Sequence, residues 1–190
     1  FMHDLEAQEY ATVLPALQAV GVDLASLKRQ RPAVALLQPP KRRAPQDAAV
    51  AMRLLDLGVD FDTVATSEAG AYAVRLDPAA QPPESLTLPA TVASPAKGWQ
   101  AATLLDEAGR QALLYLRNVA GGVQDKGAPP RPCFLRDVQP AEAAFTLRAA
   151  WGRIVVYDLV ARQARTVTAD AAGRVTLGVT DHDYLIGLRR

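Results

Sequence analysis

The sequence has very little cysteine and histidine. A single cysteine, Cys133, and two histidines stand among 190 residues. One cysteine excludes an intramolecular disulfide, and a metal site built on cysteine ligands is improbable. As a nucleophile Cys133 would need a base, and neither His3 nor His182 is near it in sequence. We therefore interpret Cys133 as a small buried apolar residue, and the sequence implies no cofactor.

The sequence also lacks an excess of charge of either sign and lacks long apolar runs. The chain has 21 Lys and Arg against 20 Asp and Glu, so nothing points to a nucleic-acid partner. The basic cluster Lys41–Arg43 lies between prolines and is typical of a solvated loop. No apolar run approaches the about 20 residues of a membrane-spanning helix. The start at Phe1 suggests a fragment or a processed chain, so the compartment stays undetermined.

Glycine-rich phosphate loops and nucleophile elbows are also absent. The local cluster richest in ionisable groups is Asp181-His182-Asp183, just before the last predicted strand. Two acids beside a histidine could bind a metal or relay a proton. Because neighbouring strand residues point to opposite faces, we instead interpret the cluster as a polar turn.

The N-terminal third has an α/β pattern. Apolar residues at helical spacing predict a helix over Leu5–Val20. The apolar run Ala33–Leu37 predicts a strand buried on both faces, and Val59–Val64 predicts a second strand after a helix capped by Asp47. Residues 32–65 are therefore expected to form a strand–helix–strand unit with parallel strands. Such a thin layer must pack on another part of the protein.

The rest of the chain has the pattern of short antiparallel strands. Two similar turns, Asp106–Gly109 and Asp170–Gly173, end in a glycine that can supply a positive φ. We predict an α+β fold, with a helical and small α/β segment over 1–68 and a β-sandwich over 69–190. The principal predicted strands are Trp99–Leu105, Gln111–Val119, Ala143–Ala149, Arg153–Val160, Ala164–Thr168, Arg174–Val179 and Asp183–Leu188.

Aromatic and acidic side chains supply the weaker candidate sites. Trp99, Trp151, Tyr115 and Tyr157 could form a sugar-stacking face. We favour core or interdomain packing for them, because the strand Arg153–Tyr157 is apolar on both faces. We place Trp99, Trp151, Asp181, His182 and Asp183 in a provisional binding set, with no catalytic residue and no metal ligand. Four polar residues near the predicted carboxyl ends of the parallel strands could also meet a ligand. They are Asp60, Asp62, Glu68 and Gln38.

Several segments together resemble the C-terminal part of multidomain glycoside hydrolases of the β-galactosidase type. The resemblance implies a catalytic barrel outside this chain, then a flavodoxin- or amidotransferase-like α/β domain often used in oligomerisation, then a small β-sandwich. After Val64 this chain departs from that pattern, because it passes within a few residues to Tyr72–Leu76 and proline-rich sequence. The matching segments are Arg31–Leu37, Arg53–Val64, Gln111–Val119, Gly152–Leu159, Gly173–Leu177 and His182–Leu188.

Three functions follow as hypotheses. The first is a non-catalytic C-terminal portion of a glycoside hydrolase, whose partners are the catalytic barrel, on a partner chain or the same one, and a second copy in a homo-oligomer. Its first helix would pack on the barrel. The second is a self-standing module that binds a glycan or a protein. The third is a self-contained enzyme that uses Asp181, His182, Asp183 or Cys133. No nucleic acid and no membrane is expected as a partner.

Overall fold

The computed structural model describes most of the chain. The described residues are 13–29, 31–38, 48–57, 59–78, 80–86, 92–121, 123–125, 134–136 and 138–190. Among them, no helix is both long enough and apolar enough to span a membrane. Cys133, Lys41–Arg43 and the first part of the predicted helix Leu5–Val20 lie outside the described residues.

The described chain consists of short strands with few helices, as the predicted α+β class requires. Helix α1 covers residues 13–20 of the described chain and α2 covers Ala48–Asp56, with 3₁₀ turns at Leu24–Ser26 and Thr66–Ala71. The strands are β1 (Leu27–Arg29), β2 (Val34–Leu37), β3 (Phe61–Val64), β4 (Val74–Leu76), β5 (Ala93–Pro95), β6 (Trp99–Asp106), β7 (Gln111–Asn118), β8 (Val123–Asp125), β9 (Phe134–Arg136), β10 (Ala141–Leu147), β11 (Arg153–Asp158), β12 (Gln163–Val167), β13 (Arg174–Thr180) and β14 (Tyr184–Arg189).

The predicted β-sandwich is confirmed. One sheet has six antiparallel strands in the order β1-β6-β7-β14-β11-β12, and the other has three in the order β13-β10-β5. Alternate residues of both sheets face inward, since strand side chains point to opposite faces in turn. The largest side chains of the interior include Trp99, Phe145, Leu114, Ile186 and Leu188, all nearly inaccessible to solvent. Strand β14, the last in the chain, lies in the middle of the larger sheet.

The two glycine-ended turns form as predicted. Gly109 and Gly173 have φ angles of 65° and 77°, which other residues rarely adopt. The carboxylate of Asp106 accepts the backbone N–H groups of Arg110 and Gln111 at 2.6 and 3.0 Å and so closes the first turn. These turns fix the β6–β7 and β12–β13 connections.

A separate three-stranded parallel sheet has the strand order β3-β2-β4. Together with helix α2 we call it the parallel layer. The central strand β2 is buried, as its apolar sequence predicts. Helix α2 covers the sheet with Val50 and Leu54, which pack against Val34, Leu36 and Val59. The strand–helix–strand unit with parallel strands is therefore confirmed.

Helix α1 packs on the outer face of the six-stranded sheet. Ala16 and Val20 are buried against Leu113, Val155 and Leu185 of that face. The helix thus covers an apolar sheet face that needs a cover, and contact of the same helix with a barrel stays a prediction.

Gly187 allows the close approach of this helix to the sheet. A Cβ atom there would lie 2.4 Å from the backbone oxygen of Val20 and 2.9 Å from the Cβ of Val20. Real Cβ atoms essentially never show contacts this short. The absence of a side chain on β14 therefore sets the distance between helix and sheet.

Two short strands pair outside the part of the fold in which the sequence placed them, which was the α/β segment for residues 1–68 and the sandwich for residues 69–190. β1 pairs with β6 of the sandwich although it precedes residue 68, and β4 pairs with β2 of the parallel sheet although it follows residue 68. Backbone pairing overrides sequence order in both cases, since each strand has too few apolar residues to specify its own layer. Residues 123–125, expected in a long loop, form β8, which pairs with β9. A boundary at residue 68 stays a prediction.

Candidate functional site

The two ends of the sandwich differ in their side chains. At one end lie the turn between β11 and β12, the turn between β13 and β14, and the end of β7. At the opposite end lie the loop 148–152 between β10 and β11, the loop 168–173 between β12 and β13, and the end of β14. The first end holds the predicted Asp181-His182-Asp183 cluster, and the second holds Trp151.

His182 bridges two carboxylates at the first end. Its Nε2 lies 2.9 Å from Oδ2 of Asp158, and its Nδ1 lies 3.1 Å from Oδ1 of Asp181. The other oxygen of Asp158 accepts the backbone N–H groups of Val160 and Ala161 at 2.9 and 2.8 Å. Asp158 and His182 therefore connect the β11–β12 turn to the β13–β14 turn.

The pair shifts the pKa values of both partners. Burial lowers the pKa of His182, but the hydrogen bonds and charges of Asp158 and Asp181 outweigh it, so the pKa lies above 6.5. Burial raises the pKa of Asp158, but the N–H of Ala161 and the His182 ring outweigh it, so the pKa lies below 3.8. The folded state thus favours an ion pair at mildly acidic pH.

Asp183 ties the same turn to β7. Its Oδ1 accepts the backbone N–H of Asn118 at 2.8 Å, and its Oδ2 accepts the hydroxyl of Tyr115 at 2.5 Å. The buried side chain of Asn118 in turn donates to the carbonyls of Gln139 and Thr180. These bonds hold the ends of three strands together, so the carboxylate of Asp183 stabilises the fold at this end of the sandwich.

The sequence interpretation of this cluster as a polar turn agrees with its position, but one argument for it is wrong. His182 and Asp181 are in contact although they are sequence neighbours, because they lie in a turn and not in a strand. The sequence also gave no role to Asp158, which ends β11 directly before a turn. Within the described residues, no group of three acidic, histidine or cysteine side chains could hold a metal ion.

The two tryptophans have different surroundings. Trp99 is 1% exposed, and its ring centroid lies 6.3 Å from that of Tyr184 in the sandwich core. It therefore offers no face to a sugar. Trp151 is partly buried, and the guanidinium carbon of Arg190 lies 5.1 Å from its ring centroid. Among the described residues, the buried indole N–H of Trp151 has no hydrogen-bond partner.

Trp151 lines a pocket of about 510 Å³ at the second end of the sandwich. Its apolar floor is formed by Leu147, Ile154 and Val167, which come from both sheets. Its walls are the loops 148–152 and 168–173, which supply mainly backbone and small side chains. A volume of this order suits a small ligand.

Neither tyrosine of the predicted aromatic face lies beside Trp151 in this pocket. Tyr157 is buried beneath helix α1. Tyr115 is partly exposed and bonds Asp183 at the first end. The four aromatic side chains therefore do not form one continuous platform.

Asp60, directly before β3, and Asp62, within β3, belong to a second polar cluster between the sandwich and the parallel sheet. Asp60 and Asp62 lie at the amino end of β3, not near its carboxyl end as predicted, because the strand begins only at Phe61. Arg29 of β1 contacts Asp62 at 2.8 Å and Asp60 at 3.4 Å, and the hydroxyl of Tyr72 donates to Asp62 at 2.8 Å. This cluster joins the sandwich to the parallel layer.

The other two polar candidates do follow the parallel strands. Gln38 directly follows β2 and donates its backbone N–H to the carbonyl of Val64 at 2.8 Å. Glu68 lies in the 3₁₀ turn after β3. They are thus separated from Asp60 and Asp62 by the length of the strand, and the four residues do not form one site.

Comparison with known proteins finds a weak structural similarity. No family model and no curated protein sequence matches the chain. One similar solved structure is α-L-fucosidase isoenzyme 2 from Paenibacillus thiaminolyticus, a glycoside hydrolase. It has 11% sequence identity and a TM-score of 0.35, and the alignment covers 52% of this chain. The chain spans 15% of the length of that enzyme.

Proposed function

We propose that this chain is a non-catalytic C-terminal portion of a glycoside hydrolase, which supports the catalytic barrel, the assembly of subunits, or both. The observation that supports the proposal is the use of its ionisable groups. Arg29 with Asp60 and Asp62, and Asp158 with His182, connect structural elements to one another. They do not converge on the open pocket at the other end, as a catalytic pair would.

The proposal agrees with the resemblance of the sequence segments to the β-galactosidase type. In that arrangement the barrel carries the two catalytic carboxylates, and this chain supplies none. A self-contained enzyme based on Asp183 is disfavoured because both oxygens of this carboxylate already accept hydrogen bonds from β7.

The test measures the length of the native polypeptide in its source cells and identifies the polypeptides that associate with it. An antibody raised against the 190 residues would be used to isolate the native protein, and every polypeptide obtained would be sequenced by mass spectrometry. We expect a barrel domain, either on a longer polypeptide or on a second chain. A polypeptide of this length alone, monomeric in solution, would overturn the proposal.

A second measurement addresses the enzyme hypothesis directly. The purified chain would be assayed with chromogenic glycosides, and we expect no turnover above the rate without protein. Hydrolysis that is abolished by Asp183→Asn but retained by Asp181→Asn would assign the activity to this chain and contradict a non-catalytic role.

The alternative is a self-standing binding module, and one observation favours it. The pocket beside Trp151 has an apolar floor of Leu147, Ile154 and Val167 and a volume that suits a small ligand. Glycan-dependent protection of Trp151 from a soluble quencher, in a chain that occurs alone in its source, would support this alternative.

A further inference from the structure

One end of the sandwich carries a group of arginines, which we call the arginine rim: Arg110, Arg148, Arg153, Arg189 and Arg190. Arg153 and Arg189 are direct cross-strand partners on β11 and β14. They alternate with the core residues Ile154 and Leu188, so their side chains lie on the outer face of the sheet. The backbone N–H of Arg190 donates to the carbonyl of Arg110 at 2.9 Å, and Arg148 lies in the loop that walls the pocket. Like charges placed opposite each other across two strands destabilise a sheet.

Among the described residues, no carboxylate lies in an ion pair with an arginine of the rim. Asp106 does act on the rim, because it accepts the backbone N–H of Arg110 and its charge interacts with that of the Arg110 guanidinium. Asp170, which lines the pocket, accepts a backbone N–H that closes its own turn, and Glu107 contacts Lys28. Arg148 and Arg190 are therefore the members of the rim that can attract an anion to the pocket.

Trp151 connects the rim to the pocket. It lines the pocket, and the guanidinium of Arg190 is stacked over its ring. Such stacking restrains a long, flexible side chain and keeps its N–H donors beside the ring. Trp151 is thus better described as a residue that positions a charge than as a bare stacking platform.

We propose that the Trp151 pocket, together with Arg148 and Arg190 of the arginine rim, binds an acidic glycan. The apolar floor of Leu147, Ile154 and Val167 matches the C–H faces of a sugar ring. Guanidinium groups match carboxylate or sulfate, which they can bind through two parallel hydrogen bonds. The ligand class rests on the proposed function in one respect only, namely that the parent protein acts on carbohydrate.

In the experiment, the 190-residue chain is titrated with glycan probes, and binding is measured by calorimetry and by tryptophan fluorescence. The probes are oligogalacturonate, its fully methyl-esterified form and a sulfated galactan oligosaccharide. We expect binding of at least one acidic glycan, weakened by added salt because exposed charges are screened, and no binding of the neutral ester. Binding of the carboxylated or of the sulfated probe identifies which acidic group the rim recognises.

Matched variants separate the rim from general basic charge. Arg148→Ala and Arg190→Ala each remove one guanidinium from the rim, and each is expected to weaken binding about tenfold. Arg117→Ala is the control, since Arg117 lies on the same sheet at the opposite end of β7. Trp151→Phe should abolish the fluorescence response, because Trp99 is buried in the core.

Four results would overturn the proposal. The first two are no binding of either acidic probe and equal binding of the neutral ester. The third is equal or tighter binding of poly-glutamate, titrated as an additional probe, which would assign the rim to an acidic protein segment. The fourth is equal losses of binding in Arg117→Ala and Arg148→Ala. None of these results depends on whether the chain occurs with a barrel, so this binding and the proposed accessory role fail separately.

Discussion

The sandwich and the parallel layer are built from similar apolar residues, but they differ in how much of that surface they bury. Among the described residues, fifteen buried side chains form the sandwich interior, and only five form the interior between α2 and the parallel sheet. A small core contributes little net stability after the loss of chain entropy. The parallel layer must therefore depend on the sandwich.

The contacts between the two regions agree with that dependence. Arg29 of the sandwich contacts Asp60, directly before β3, and Asp62, within β3. The buried amide of Gln100 in β6 donates to the carbonyl of Val59 at 3.0 Å, just before β3 begins. Both contacts are polar and meet the same end of one strand. We infer that the sandwich folds by itself and that the parallel layer is held to it as a less stable unit.

The largest effect is expected from truncations in the two cores. Phe145→Ala in the sandwich should lower the free energy of unfolding by about 3–5 kcal/mol, because it leaves a cavity among fully buried neighbours. Leu54→Ala should destabilise the parallel layer by about 2–5 kcal/mol. Amide hydrogen exchange should then accelerate throughout the chain for Phe145→Ala, but only around β2 and α2 for Leu54→Ala. Equal acceleration in β7 for both variants would show one cooperative unit instead.

The next effect concerns the helix on the outer face of the sandwich. Gly187→Ala should cost about 1–3 kcal/mol, because its Cβ would overlap the backbone of Val20 and displace α1. Gly152→Ala is the matched control, since its Cβ would meet only the backbone of Arg189 and Arg190, at 3.7 Å. Its cost should stay within about 0.5 kcal/mol. Chemical denaturation of both variants measures the difference, and equal losses would contradict the assigned role of Gly187.

A smaller effect should distinguish the contact between the layers from an ordinary surface ion pair. Arg29→Ala removes the partner of Asp60 and Asp62, and we expect a loss of about 1 kcal/mol. The burial of Asp60 raises its pKa, so its charge is costly to keep without Arg29 and the loss should shrink at acidic pH. Lys28→Ala, which removes only an exposed contact with Glu107, should cost less than about 0.5 kcal/mol. Equal losses at neutral pH would contradict a specific contact between the layers.

The comparison also shows which parts of the fold were predictable from sequence. The six predicted strands from Gln111 onward agree with the structure within two residues at each end, since alternation and glycine-ended turns are local signals. The order of the strands was not predicted. Nothing local in Leu27–Arg29 or Val74–Leu76 specifies a partner strand, because pairing depends on residues far away in sequence.

The candidate sites were less predictable than the strands. Asp181-His182-Asp183 stands out in the sequence, but its main partner, Asp158, lies 24 positions away and reaches His182 only when two turns meet. The arginine rim is invisible as a motif, since its members come from three separate segments that the sheet brings together. Trp99 and Trp151 look equivalent in the sequence, and only packing distinguishes the core residue from the pocket residue.

The smallest expected effect tests whether the polar end of the sandwich stabilises it through charge. The pKa of His182 is raised above 6.5, so its contribution to stability is complete below that pH and is lost as the pH rises through the folded-state value. The pKa of Asp158 is lowered below 3.8, so its contribution is present above that pH and is lost as the pH falls through the folded-state value.

The difference in unfolding free energy between the wild type and His182→Gln should therefore be largest between these limits, near pH 5, and should decline towards pH 8. Solvent screening keeps it to about 0.5 kcal/mol. Asp181→Asn is the matched control, because Asp181 is more exposed than Asp158 and should give a smaller difference. A difference that does not vary with pH would mean that His182 stabilises the turns by packing against Tyr184, and not by charge.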